Sequence, residues 1–145
     1  MRYKLNREKL KELEPIFYPR SIAVVGASID VQKIGSQWLK GLISSGFKGE
    51  LYPVNPGGGE VFGLRIYGDL RSIPGPVDLV IVCTPRTSAL GVLGDCAAKG
   101  IKAVYFFTAG FRESGDPEWI EVEGEMVRWA RRGGFRIIGP NCFGV

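Results

Sequence analysis

Histidine is missing altogether from this 145-residue sequence. Its absence removes imidazole acid–base catalysis and phosphohistidine chemistry from the segment, because no other unperturbed side chain titrates in the physiological range. Cysteine is scarce. Cys83, Cys96 and Cys142 are odd in number, far apart and in no CxxC arrangement, so neither a disulfide framework nor a thiolate metal site is expected. No apolar run approaches the roughly 20 residues of a membrane span, and the first residues, MRYKLNREKL, hold no signal-peptide core. A cytoplasmic location is expected, with no membrane partner. Charge of one sign is also in short supply. Nineteen basic residues face fifteen acidic ones, and the net +4 is interspersed rather than blocked. That pattern excludes a nucleic-acid stripe and suits a small polyanionic ligand.

What is abundant is glycine, placed at the ends of apolar runs. Residues 21–28 read SIAVVGAS: an unalternating apolar run that meets Gly26, a small residue and a hydroxyl. Gly35 then opens a helical pattern. A strand buried on both faces, a glycine turn and a helix N-terminus together present backbone N–H groups to a phosphate.

The rest of the chain repeats this alternation. Asn6 caps a short helix over 7–13, which Pro15 is expected to end. A helix over 35–45 carries an apolar stripe of Ile34, Trp38, Leu39, Leu42 and Ile43 and stops at Gly46. Strands are expected at 50–54, 78–83, 103–107 and 136–138, with a short extended piece near 64–67 and one helical turn at 69–73. A helix starting at Thr87 or Ser88 runs to Gly100, and a last one begins at Asp116-Pro117 and reaches about Arg132. Apolar strands alternating with helices give the fold class: α/β, Rossmann-like and doubly wound, a mostly parallel sheet with helices on both faces. Residues 1–145 are expected to form one domain, with 1–18 a helical lead-in and 139–145 the start of a linker.

Ligands in such sheets sit beyond the carboxyl ends of the strands. Those ends carry Gly26-Ala27-Ser28, Asn55-Pro56-Gly57, Thr84-Pro85, Phe107-Thr108-Ala109 and Gly139-Pro140-Asn141. None is an acid, and no nucleophile stands beside a base, so a binding surface is expected without catalytic residues or a metal. An NAD site would need GxGxxG spacing and an acid at the end of the second strand for the ribose hydroxyls. Here the glycine after Gly26 is Gly35, and Asn55-Pro56 stands where the acid would be. The long intervening turn holds Lys33, a point charge within reach of a phosphate.

PRSIAVVGAS, KIG, LYPVNP, VDLVIVCTP, FFTAGF and IIGPNC, in that order, resemble the CoA-binding domain of NDP-forming acyl-CoA synthetases, relatives of the succinyl-CoA synthetase alpha subunit. The resemblance runs from about Leu13 to Val145. It implies that Ala27, Ser28, Lys33 and Ile34 sit in the turn that holds the CoA phosphates, and that Asn55 and Pro56 flank adenine and ribose. Thr84 and Pro85 would lie under the nucleotide or the pantetheine arm. Phe107, Thr108 and Ala109 would line the pantetheine path, and Asn141 and Cys142 would approach the thiol end. It further implies partner domains or subunits: a following domain with the phosphorylated histidine, and an ATP-grasp region. The segment would then bind CoA or acyl-CoA and not turn over alone. One departure stands out. Family members often carry a lysine after the Asn-Pro, where this chain has Gly57-Gly58-Gly59. Backbone N–H groups of that triple glycine, or Lys48 or Arg65 in space, are the candidate replacements. Two other readings stay open on the residues: a stand-alone CoA- or nucleotide-binding protein or sensor, and an NAD(P)-binding oxidoreductase domain.

Overall fold

A computed structural model describes residues 6–143. The sheet has five parallel strands, β1 (Ser21–Val25), β2 (Glu50–Val54), β5 (Leu79–Val82), β6 (Ala103–Phe106) and β7 (Arg136–Ile138), in the order β2-β1-β5-β6-β7. A two-stranded antiparallel ribbon, β3 (Glu60–Val61) and β4 (Leu64–Arg65), lies between β2 and β5 in the chain. Helices α1 (Arg7–Phe17) and α2 (Ile34–Ser44) precede β2, and α3 (Ala89–Lys99) and α4 (Pro117–Gly133) flank β6 in the chain. Among the described residues no helix is long and apolar enough to cross a membrane.

The unalternating strands are explained by two cores, one on each face. Ile22 and Val24 of β1, Leu79 and Ile81 of β5, and Ala103 and Tyr105 of β6 pack with Ile16 of α1 and Leu39 of α2. The residues between them, Ala23, Val80, Val82, Val104 and Phe106, pack with Val92 and Leu93 of α3 and Met126 of α4. Successive side chains of a strand point to opposite faces. Two covered faces therefore favour apolar residues at successive positions; all five residues of β1 are buried, and its one polar side chain, Ser21, accepts from Asp78 N–H at 3.0 Å. The sheet reverses its order at β1. The chain runs from β1 outward to β2, then returns to place β5 on the other side of β1. The crevice beyond the carboxyl ends of β1 and β5 is thus the switch point at which such sheets bind ligands.

Several local expectations hold, and others are corrected. The Asn6 side chain caps α1 by accepting from Glu8 N–H at 2.9 Å, and Asp116 caps α4 in the same way from Glu118 N–H at 3.0 Å. Gly100 and Gly134 end α3 and α4 in the left-handed conformation. Pro15 does not end α1, which continues through it to Phe17. Proline removes one N–H and crowds one carbonyl, and so close to the helix end the next turn still closes, with Tyr18 N–H donating to Glu14 O at 2.8 Å. Residues 69–73 make one hydrogen-bonded turn, Ile73 N–H donating to Leu70 O at 3.4 Å. Asp69 and Ser72 fasten it: Ser72 N–H donates to the Asp69 carboxylate and Ser72 Oγ to the Asp69 carbonyl, both at 2.8 Å. The expected helix start at Thr87 or Ser88 falls inside a 3-10 turn, Arg86–Ser88, from which α3 follows. The extended piece at 64–67 is one arm of the β3–β4 hairpin. Its partner went unread because the turn places a phenylalanine, Phe62 (φ +51°), before Gly63 (φ +76°).

Candidate functional site

The turn after β1 is compact because two glycines let backbone meet backbone. Gly26 has φ +99°, and its N–H donates to Val54 O at 2.9 Å. A Cβ at Gly35 would come within 2.6 Å of Ala27 N and closer still to the Gly26 carbonyl. So α2 begins in direct contact with the strand-end turn, a packing that glycine alone permits. Ser36, on the first turn of α2 and 0% exposed, fixes the arrangement. Its Oγ donates to Ser28 O at 2.8 Å and accepts from Ser28 N–H at 3.0 Å. Ser28 Oγ in turn accepts from Asp30 N–H at 2.9 Å, and Gln32 N–H donates to the Asp30 carboxylate at 2.9 Å. Lys33 is the N-cap residue of α2 and supplies no capping oxygen. Lys33 thus offers the first N–H groups of the helix no side-chain acceptor, and no acid stands in its first turn.

From this turn a groove runs along the carboxyl edge of the sheet in two joined halves. The first, about 460 Å³, is lined by Gly26, Ser28, Ile29, Lys33, Ile34, Asn55, Gly57 and Gly58, with Cys83, Thr84 and Pro85. The second, about 380 Å³, is lined by Ile34, Cys83, Thr84 and Pro85 again, then Phe107, Thr108, Ala109, Asn141, Cys142 and Phe143. Ile34, Cys83, Thr84 and Pro85 form a wall common to both.

Of the site residues expected from sequence, Gly26, Ser28, Lys33, Ile34, Asn55, Thr84, Pro85, Phe107, Thr108, Ala109 and Asn141 line this groove. Ala27 does not: it is 0% exposed and belongs to the core between the sheet and α2. Pro56 is exposed and lines neither half. Lys48 and Arg65 also lie outside the lining, and Arg65 packs over the Tyr67 ring instead. Nor are the Gly57 and Gly58 N–H groups available to replace a lysine. Gly57 N–H donates to Asn55 Oδ1 at 2.9 Å and Gly58 N–H to Asn55 O at 3.0 Å. Asparagine side chains favour this turn, and here it consumes the two donors. Among the described residues, Lys33 is the cation that lines the first half of the groove.

The second half is built on aromatic packing. Trp38 meets Tyr105 and Phe107 edge-on at 5.5 and 5.8 Å between centroids, and Phe107 meets Phe143 at 5.6 Å. Phe143 is 85% exposed. Tyr105 Oη donates to Cys142 O, and burial pushes its hydroxyl up to about 12, so it stays a donor. Thr108 Oγ1 donates to Thr84 O at 2.7 Å, and Asn141 N–H to Thr108 O at 3.0 Å, which draws three strand-end loops together. Cys83 packs against the core and lines both halves of the groove, and burial pushes its thiol up to about 12. At neutral pH it is a neutral apolar surface and not a nucleophile. Cys96 is fully buried on α3. Sequence reasoning missed Ser36, Ile29 and Phe143. Ile29 and Phe143 gave no motif signal, and Ser36 reads as one more polar helix residue until the fold places it opposite Ser28.

Comparison with known proteins places this groove in a family. The model of the CoA binding domain matches residues 20–145. The alpha subunit of acetate–CoA ligase [ADP-forming] I from Pyrococcus furiosus is 42% identical over 137 residues, which span 92% of this chain and 29% of that protein. The structure of a dinucleotide forming acetyl-coenzyme A synthetase 1 from Ca. Korarchaeum cryptofilum, in complex with phosphate and ADP, superposes with a TM-score of 0.86 at 46% identity, over 91% of this chain and 28% of that one. A smaller structure, a conserved hypothetical protein from Pyrococcus furiosus, is 30% identical with a TM-score of 0.63, over 81% of this chain and 90% of its own. The chain thus spans less than a third of the ligases it resembles. With a match covering the sheet, the glycine turn and every groove loop, the chain belongs to the CoA-binding domain family.

Proposed function

We propose that the groove holds coenzyme A in extended form and that the chain serves as the CoA-binding module of an ADP-forming acyl-CoA synthetase. The observation that carries this reading is the continuity of the groove from an uncapped helix N-terminus with a lysine to an aromatic-walled end. CoA has the same polarity: a diphosphate and a 3′-phosphate at one end, a thin amide arm and a thiol at the other. The diphosphate would lie on the turn of Gly26 and Ser28 and the start of α2, with Lys33 as its counter-charge. Asn55, whose Oδ1 is committed to its own turn, retains the amide nitrogen as a donor toward the adenosine. The pantetheine arm would pass over Thr84 and Pro85 and along Phe107, Thr108 and Ala109 to Asn141, with the thiol beyond.

On this reading residues 1–145 bind CoA or acyl-CoA without catalysing, and 139–145 begin the connection to the domains that carry the phosphorylated histidine and the ATP-grasp fold. The chain acts in the cytoplasm, a placement supported by cysteines with no disulfide pattern, and contacts neither nucleic acid nor membrane. The family match and the missing acid after β2 disfavour an NAD(P) site. Thermal unfolding with CoA, NAD and NADP is the test. CoA at 100 times its dissociation constant should add about 2.7 kcal/mol. Stabilisation by a dinucleotide with none by CoA overturns the reading. The small Pyrococcus furiosus structure supports a second reading, a stand-alone CoA-binding protein. A stop codon directly after Val145 favours that one, and an open reading frame favours the ligase.

A further inference from the structure

The loop after β6 takes its shape from residues outside the groove. Gly110 turns there with φ +96°, and its carbonyl accepts a hydrogen bond from the Arg86 guanidinium. That guanidinium lies over the Trp119 ring, with its Cζ 4.0 Å from the centroid, a cation–π contact. A Cβ at Gly110 would fall 2.9 Å from Arg86 Nη1, so the guanidinium occupies the space a side chain would take. On the other side the Glu113 carboxylate accepts from two successive amides, Gly110 N–H at 2.7 Å and Phe111 N–H at 3.1 Å. Phe111 is fully buried and meets Phe106 and Trp119 edge-on, which anchors the far end of the loop. Neither Arg86 nor Glu113 lines the groove, whereas Thr108 and Ala109, the two residues that lead into the held Gly110, both do. Arg86 also follows Pro85 directly, so it links the wall shared by both halves to the loop that walls only the second.

We propose that Arg86 and Glu113 are positioning residues for the pantetheine half of the groove: they fix the 108–110 backbone and thereby the surface that Thr108 and Ala109 present to the ligand's amide arm. The proposal rests on the CoA reading above. A loop turning on glycine has many conformations, and ordering it on binding would cost affinity. The clamp orders it beforehand, and only for the half of the ligand that touches it.

Calorimetric titration of the chain with CoA and, separately, with adenosine 3′,5′-bisphosphate tests this. Arg86→Ala and Glu113→Gln should each weaken CoA by about tenfold and leave adenosine 3′,5′-bisphosphate unchanged to within about twofold. Arg86→Lys should recover part of the loss, since it keeps a donor for the Gly110 carbonyl but not the flat face on Trp119. Selectivity between the two ligands is a readout that general destabilisation does not produce. Because Glu113 is exposed, its variant keeps the test open if Arg86→Ala fails to fold. Equal weakening of both ligands, or unchanged CoA binding by Glu113→Gln and Arg86→Lys, overturns the proposal while leaving the CoA reading intact. Failure of the unmodified chain to bind CoA overturns both.

Discussion

Replacing Gly35 by alanine should damage both stability and binding, while the same change six residues later on the same helix should do the opposite. At Gly35 the new Cβ would lie 2.6 Å from Ala27 N and closer to the Gly26 carbonyl, all of it backbone that cannot rotate away. Ordinary carbon contacts are about 3.5 Å or more, so α2 must retreat from the turn by roughly 1 Å. Overpacking of that kind costs about 1–3 kcal/mol. The retreat also stretches the two bonds of the fully buried Ser36 to Ser28, at 2.8 and 3.0 Å, each worth about 1 kcal/mol. A total loss of up to about 3–5 kcal/mol is expected, a fall in Tm on the order of 10 °C for a chain of this size. CoA affinity should drop at least about tenfold, because the helix N-terminus would no longer face the turn at the same distance. At Gly41 nothing lies within 4 Å of the added Cβ. Alanine there removes only glycine's helix penalty and should stabilise by about 0.5–1 kcal/mol. Denaturant unfolding and calorimetry on both variants provide the measurement. A Gly35→Ala protein as stable and as tight-binding as its parent would refute the close-approach reasoning.

Lys33→Ala should weaken CoA more than it weakens pantetheine, which has no phosphate, and equal losses by calorimetry would remove Lys33 from the phosphate site. Glu113 has its carboxyl held below the usual carboxylate range, first by the Gly110 N–H it accepts. Its contribution to stability is therefore present above about pH 4.3, the unfolded value, and is lost as pH falls through the lower folded value. Stability–pH curves of the parent and Glu113→Gln should diverge at neutral pH and converge in acid; parallel curves would contradict this. Burial pushes Cys83 and Cys96 up to about 12, so iodoacetamide at pH 8 should leave both unmodified in the folded chain and label them once it unfolds, as read by peptide mass spectrometry.

The sheet was readable because two-sided burial leaves a one-dimensional trace: runs such as residues 79–82 with no polar position, each ended by a glycine, hydroxyl or proline. The groove was readable for the same reason, since all its loops leave the same edge. What escaped depended on partners distant in sequence or on local substitution of one bond for another. Ser36 acquires its role only opposite Ser28. The donors of Gly57 and Gly58 looked available until the Asn55 turn was seen to use them. Ala27, inside the motif, turned inward because Gly26, at φ +99°, breaks the strand's alternation, so that Ala27 joins the α2-covered face of Ile22 and Val24 instead of the face of Ala23 and Val25.

The wall of Ile34, Cys83, Thr84 and Pro85 belongs to both halves of the groove, and that predicts coupling between ligands that fill the two halves together. A fragment filling one half settles the side chains that the other half must meet. Adenosine 3′,5′-bisphosphate and pantetheine, added together, should each bind more tightly than alone, by the same factor in both directions. Sequence change at Thr84 is then constrained twice over, whereas change at Lys33 or Phe107 answers to one end of the ligand only.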